Sequence, residues 1–108
     1  MRAILKYAHP TRHLTAIVHG APHRRVHRAI LAQYRTALWE AAGAIGIKHP
    51  MSHQITLSAT FIDPTGPDLD NLLTALFQAL DGKCGRGPAL LKDDRQIIFL
   101  EKVGILLP

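Results

Sequence analysis

The sequence has 108 residues, a length that suffices for one compact domain and is too short for two. Hydrophobic residues make up 47% of it, which excludes wholesale disorder. The formal charge at pH 7 is +5, and the single cysteine, Cys84, excludes an internal disulfide. The sequence has no apolar run long enough to cross a bilayer and no uninterrupted apolar stretch typical of a signal peptide. The chain is therefore expected to be soluble and cytoplasmic, with no membrane partner.

The charges are divided unevenly along the chain. Residues 1–39 contain no Asp or Glu but hold seven Arg or Lys and five His, whereas every carboxylate lies from Glu40 onward. This division suggests that a polyanion-binding half is joined to a half that holds an acidic site. An ordinary solvated basic face is the alternative interpretation.

Strands and helices are predicted to alternate along the first half. Residues 14–18 are β-branched and apolar and predict a strand, while residues 1–13 form either an extended arm or an extra strand. Gly20 and Pro22 break regular structure. A helix is predicted over residues 29–45, because apolar side chains recur there at three- and four-residue steps.

The second half predicts one more helix between strands. Alternating apolar residues indicate a half-buried strand at 54–61, and a helix begins near 68–70 and ends at Leu80. A buried strand at 96–100 and a short last strand at 103–107 follow. The order β-α-β-α-β predicts a single α+β domain over residues 1–108, with a small mixed sheet and two helices packed on one face. Dimerisation would supplement so small a core.

Two acidic segments are candidates for a metal site. Asp68 and Asp70 lie where an extended loop becomes a helix, and Asp93 and Asp94 directly precede the final core strand. A strand end and a helix N-terminus that meet at one sheet edge would bring three or four carboxylates together, and Mg²⁺ prefers oxygen ligands. The alternative is that Asp68 or Asp70 caps the helix and that Asp93 is an ordinary turn residue.

The segments PDLDNL at 67–72, ALFQALDG at 75–82 and KDDRQI at 92–97, together with Lys102, resemble the RusA family of Holliday-junction resolvases. The resemblance is close over residues 67–97 and looser over 20–102. It implies a phage- or bacterially encoded, homodimeric endodeoxyribonuclease that nicks symmetrically related strands of a four-way DNA junction in recombination and repair. It also implies Asp68, Asp70 and Asp94 as catalytic metal ligands, with Mg²⁺ or in its place Mn²⁺, and no small-molecule cofactor.

Basic residues in two loops are the predicted DNA contacts. The segment GAPHRRVHR at 20–28 resembles the family's Gly-x-Pro segment followed by basic residues, and arginine can hold a phosphate in a bidentate manner. A glycine-rich cationic loop at 83–88 is suited to a second arm of the junction. The residues expected to bind nucleic acid are Arg24, Arg25, Arg28, Lys83, Arg86 and Lys92.

Two positions depart from the family pattern. Thr74 stands where family members often have a functional lysine, and Gln78 stands where they often have an acid. Lys92 is a candidate for the missing positive charge. These departures leave open a catalytically weak or inactive dimeric protein that binds branched DNA without cutting it. A basic RNA-binding protein is a third interpretation, which the acidic segments make less attractive.

Overall fold

A computed structural model describes residues 1–23, 27–82 and 89–106. They form an α+β domain, as the sequence predicts, with a mixed sheet of four strands and two helices. In chain order the elements are β1 (Arg2–Ala8), β2 (His13–His19), α1 (Arg28–Ala44), β3 (Ile55–Ile62), α2 (Leu69–Leu80), a 3₁₀ turn (Asp94–Gln96) and β4 (Ile97–Leu106). The N-terminal segment is therefore a true strand, and the order is β-β-α-β-α-β.

The sheet has the order β1-β2-β3-β4, with β1 antiparallel to β2 and with β2, β3 and β4 mutually parallel. The two helices are the crossover connections between the parallel strands. The carboxyl end of the sheet is defined here by the last residues of the parallel strands, His19, Ile62 and Leu106, which are register partners. The amino end is defined by Ile55 and Ile97. Each helix therefore starts at the carboxyl end and returns to the amino end.

One face of the sheet is buried beneath the helices. The alternate residues of β3 that the sequence assigned to the core are fully buried, and α1 and α2 contribute large buried side chains. Both helices lie on the same face of the sheet. This is expected because the two crossover connections have the same hand and each moves the chain one strand further in the same direction across the sheet. The core residues of the strands and helices include Leu14, Ala16, Val18, Tyr34, Leu38, Leu57, Ala59, Phe61, Leu72 and Leu76.

The last strand differs from its prediction. Residues 96–100 and 103–107 were expected to form two strands, the first of them buried, but β4 is one ten-residue strand with irregularities at Ile98 and Lys102. Lys102 has a positive φ of 22°. The prediction of burial is wrong because β4 lies at the edge of the sheet: Phe99 is 65% exposed, and Ile98 and Leu100 are each 47% exposed.

Candidate functional site

Asp68 and Asp70 lie at the carboxyl end of the sheet, where α2 begins. The Asp68 carboxylate caps the helix, because it accepts a hydrogen bond from the Asn71 amide nitrogen at 3.5 Å and another from Asn71 Nδ2 at 2.9 Å. Asp70 is exposed in the first turn, where a carboxylate is favoured by the helix dipole. The Thr74 hydroxyl donates to the backbone carbonyl oxygen of Asp70 at 2.9 Å.

A second carboxylate group lies at the other end of α2. Asp81, Asp93 and Asp94 each offer a carboxylate oxygen, and these three oxygens lie within 4.8 Å of one another. The backbone creates this proximity: the Gly82 amide donates to the Leu91 carbonyl at 2.7 Å, and the Leu91 amide donates to the Leu80 carbonyl at 2.9 Å. The chain after residue 88 is thereby tied to the end of α2, two residues before Asp93.

Asp93 is already engaged by its neighbours. It caps the 3₁₀ turn, where Asp93 Oδ1 accepts from the Arg95 amide at 3.0 Å, and Asp93 Oδ2 accepts from the Arg95 guanidinium at 2.8 Å and 2.9 Å. The hydrogen bond and the charge of Asp93 raise the pKa of Arg95 further above its usual value. Gln96 completes a capping box and fixes the turn to the loop before β3, through Nε2 bonds of 2.9 Å to the Met51 and His53 carbonyls.

Arg35 has a positioning role that the sequence patterns did not predict. It is a buried cation of α1, and its Nη2 donates to the Asp81 carbonyl at 2.6 Å while its Nε donates to the Ala79 carbonyl at 3.3 Å. A cation at this point satisfies carbonyls at the C-terminal end of α2 and complements its dipole. A sequence signal did exist, because Arg35 shares the buried helical stripe of Leu31, Leu38 and Ala42.

The donor set at the amino end fits a hard divalent cation. Bonds of about 2.0–2.1 Å place opposite ligands of Mg²⁺ about 4.2 Å apart, so oxygens within 4.8 Å of one another need only a small closure. Asp81 is buried, and Asp93 and Asp94 are half-buried, so bulk water screens their mutual repulsion only in part. Asp93 is the poorest ligand of the three because Arg95 occupies both of its oxygens.

The structure does not bring the predicted triad of Asp68, Asp70 and Asp94 together within one chain. Asp70 and Asp81 lie at opposite ends of α2, which separates them by about 16 Å at a rise of about 1.5 Å per residue. Asp94 lies with Asp81. The topology explains the separation, because Asp68 follows the carboxyl end of β3 whereas Asp94 precedes the amino end of β4, and these two strands are parallel.

The basic residues are distributed between the same two ends. Arg28, the first residue of α1, is exposed at the carboxyl end, and Lys92 is exposed at the amino end beside Asp93. The other four predicted DNA contacts, Arg24, Arg25, Lys83 and Arg86, lie outside the described residues.

Hydrogen bonds bring the start of the basic segment close to Asp68. The Thr65 amide donates to the Ala21 carbonyl at 3.0 Å, and the His23 amide donates to Thr65 Oγ1 at 3.1 Å. The loop after β2 is therefore fixed to the loop after β3, three residues before Asp68. Arg28 and two carboxylates thus share the carboxyl end, the edge at which open sheets with parallel strands commonly bind ligands.

No protein-family model matches the chain, and comparisons with characterised proteins and with solved structures find no match either. Among the helices in the described parts of the chain, none combines the length and the apolar character needed to span a bilayer.

Proposed function

We propose that this protein is a divalent-metal-dependent endodeoxyribonuclease that nicks four-way DNA junctions. The observation that carries the proposal is the position of Asp94, which belongs to the motif KDDRQI and has a carboxylate oxygen within 4.8 Å of oxygens of Asp81 and Asp93. The motif pair that resembles the RusA family supplies the reaction class. The reducing cytoplasm is the proposed compartment, since junction DNA and a single unpaired cysteine both suit it.

The residues of the chain divide the task between binding and metal coordination. Asp94 is the proposed central ligand, with Asp81 beside it at the amino end and with Asp68 and Asp70 as the alternative partners, and a divalent cation held there would polarise a phosphodiester and lower the pKa of a bound water. Arg28 and Lys92 neutralise phosphates and so hold the backbone of the DNA in place. Binding through such contacts depends steeply on salt and little on base sequence.

Cleavage of a synthetic four-way junction tests the proposal. Wild-type protein with Mg²⁺ or Mn²⁺ is expected to introduce paired nicks in opposite strands, and Asp94→Asn is expected to reduce nicking at least 100-fold because one ligand charge is lost. Asp63→Asn is the matched control: Asp63 is exposed in the loop after β3, and its positive φ of 48° is one that asparagine tolerates. Intact junction with every divalent cation tested would refute the nuclease.

Two further variants identify which carboxylates act with Asp94. If the site is the amino-end group, Asp81→Asn removes activity and Asp70→Asn does not. If the site is the predicted triad, the effects are reversed; the proximity of the Asp81 and Asp94 oxygens favours the first outcome. Thermal unfolding of each variant distinguishes a protein that has lost a metal ligand from one that no longer folds. This control matters for Asp81 because its side chain is buried.

A second candidate is a dimeric protein that binds branched DNA without cutting it. Two observations favour it: the hydroxyl of Thr74, at the position of the family's lysine, donates a hydrogen bond to the backbone of Asp70, and the predicted ligands lie at opposite ends of α2. Nanomolar binding of a junction by a protein that leaves all four strands intact would select this candidate. Preference for an RNA duplex over the junction in competition would instead select an RNA-binding protein.

A further inference from the structure

Three polar side chains form a cluster on the face of the sheet opposite the helices. His13, Ser58 and Glu101 belong to the neighbouring strands β2, β3 and β4, and Ser58 and Glu101 are register partners. His13 Nε2 lies 2.7 Å from Ser58 Oγ, and His13 Nδ1 lies 3.8 Å from Glu101 Oε2. These three residues are the serine cluster, and none of them belongs to the carboxylate groups described above.

The order of the atoms in the serine cluster is one that activates a serine hydroxyl. A neutral imidazole with its proton on Nδ1 accepts the Ser58 hydroxyl proton at Nε2, and the Glu101 carboxylate favours this tautomer because Nδ1–H then faces a negative charge. A nucleophile, a base and an orienting acid in this order characterise acyl-transfer enzymes. The contact between His13 and Glu101 is about 1 Å longer than a charge-assisted hydrogen bond, a gap that the exposed glutamate closes by rotation.

The backbone beside the serine cluster departs from regular strand geometry at two points. The register of β3 with β4 shifts directly after Ser58, and Lys102, which has no partner there, has a φ of 22°. A bulge of this kind re-aims the side chains beside it and is common next to active sites. Arg12, directly before His13, has a φ of 52°. Both His13 and Glu101 therefore adjoin a non-glycine residue of left-handed conformation, which persists only where the surrounding structure enforces it.

An open cleft of about 280 Å³ adjoins the serine cluster. Its lining includes Thr60, Lys102, Gly104 and Leu106, and Thr60 lies two residues after Ser58 on the same face of β3. Gly104 leaves the space open, since a Cβ built there would have no heavy atom within 4 Å. A cleft of this size accommodates a short apolar acyl chain, and the lysine in its lining carries the positive charge that stabilises a developing oxyanion.

We propose that the serine cluster hydrolyses small carboxylic esters with a short apolar acyl group. Ser58 Oγ attacks the ester carbonyl carbon while His13 Nε2 takes the hydroxyl proton. The bond from this carbon to the alcohol oxygen then breaks, and the alcohol oxygen keeps the bonding electrons and takes the proton from His13. Water next attacks the acyl carbon, one of its protons passes through His13 to Ser58 Oγ, and the carboxylic acid is released. These steps are independent of the proposed nuclease.

Covalent labelling of the wild-type chain tests the nucleophile. A fluorophosphonate reagent, applied in the presence of EDTA, is expected to modify Ser58 at least about 100-fold faster than Ser52, as measured by peptide mass spectrometry. Ser52 is the internal control because it is exposed in the loop before β3, whereas Ser58 is only 5% exposed, so accessibility alone would give the opposite order. Labelling of Ser58 no faster than Ser52 overturns the proposal and leaves the contact with His13 as a cross-strand hydrogen bond.

Hydrolysis of p-nitrophenyl acetate tests the base and the orienting carboxylate. His13→Gln keeps a polar side chain on β2 and should lower kcat/KM at least about 100-fold. Glu101 acts through His13 and is a positioning residue, so Glu101→Gln should lower kcat at least about tenfold with KM unchanged, and Glu101→Asp should recover part of the loss. Wild-type kcat/KM in a folded His13→Gln variant overturns the proposal, and wild-type kcat in Glu101→Gln removes Glu101 from it.

Gly104→Val tests the acyl cleft. Valine is favoured in strands, and its side chain enters the open space above Gly104. The variant should lower kcat/KM for p-nitrophenyl butyrate at least about tenfold and leave the value for the acetate within about twofold, because only the longer acyl chain needs the cleft. An equal loss for both esters, or no loss for the butyrate, contradicts the assignment of the cleft to the acyl group.

Discussion

Replacing Tyr34 by phenylalanine is expected to stabilise the protein. Tyr34 is a fully buried residue of α1, and its hydroxyl has no hydrogen-bond partner among the described residues. Burial without a partner raises the pKa of the tyrosine well above its usual value, because the charged phenolate would lose its hydration. The substitution removes the unpaired hydroxyl and keeps the aromatic ring in the core.

The size of the effect follows from two opposing terms. An unsatisfied buried hydroxyl costs about 1–3 kcal/mol. Its removal leaves a void of roughly 10 Å³, which costs only about 0.2 kcal/mol at about 24 cal/mol per Å³. The free energy of unfolding should therefore rise by about 1 kcal/mol, which corresponds to an increase in Tm of about 4–8 °C for a domain of this size.

The difference should also depend on pH. Above the ordinary tyrosine pKa of about 10, the unfolded wild-type chain loses the phenol proton while the folded chain keeps it, so the wild type loses about 1.4 kcal/mol of stability per pH unit from this group. The Tyr34→Phe variant lacks this loss, so its advantage is smallest below pH 10 and grows above it.

Urea unfolding at neutral pH and at pH 10.5–11 measures both effects. Tyr7→Phe is the control, because the Tyr7 hydroxyl is hydrogen-bonded to His53 Nε2 and its removal should destabilise by about 0.5–1.5 kcal/mol. If Tyr34→Phe also destabilises the protein at neutral pH, the hydroxyl has a partner and the reasoning from burial is wrong.

Three other substitutions test the packing around the carboxylates. Arg35→Ala should cost about 3 kcal/mol, since it leaves buried carbonyls at the end of α2 unpaired, and Arg35→Lys should recover only part of this in thermal melts. Gln96→Ala removes hydrogen bonds to the Met51 and His53 carbonyls and should destabilise by about 1–3 kcal/mol, with hydrogen exchange accelerated at the start of β4. Gly82→Ala should cost more than about 1 kcal/mol in chemical unfolding, because a Cβ there would lie 2.9 Å from the Leu91 carbonyl oxygen. Wild-type stability in any of these three would contradict the role given to that residue.

The pattern of apolar residues predicted most of the fold because burial imposes it. The two-residue period at Ile55, Leu57 and Ala59 and the helical period at Leu72 and Leu76 both identify side chains that are buried. β4 could not be placed in this way, since a run of consecutive apolar residues does not reveal whether a strand is central or at an edge. The edge position depends on strand order, which is a property of the whole sheet.

The site was predicted less fully than the fold. Asp68 was recognised as either a ligand or a helix cap, and it is a cap within the single chain. Its distance from Asp94 depends on the parallel direction of β3 and β4, which local sequence patterns do not encode. The contacts of Arg35 likewise join residues more than 40 positions apart along the chain. Long-range geometry of this kind arises from packing rather than from motifs.

The first four residues of β4 form a segment that favours aggregation. Ile97, Ile98, Phe99 and Leu100 form an uncharged run with high β-propensity, which is the composition of segments that stack into amyloid. Charged residues stand on both sides of the run, Asp94 and Arg95 before it and Glu101 and Lys102 after it. They are placed as aggregation gatekeepers, since each further stacked copy would bring like charges together. The flanking charges therefore oppose the stacking that the uncharged run of the edge strand would otherwise favour.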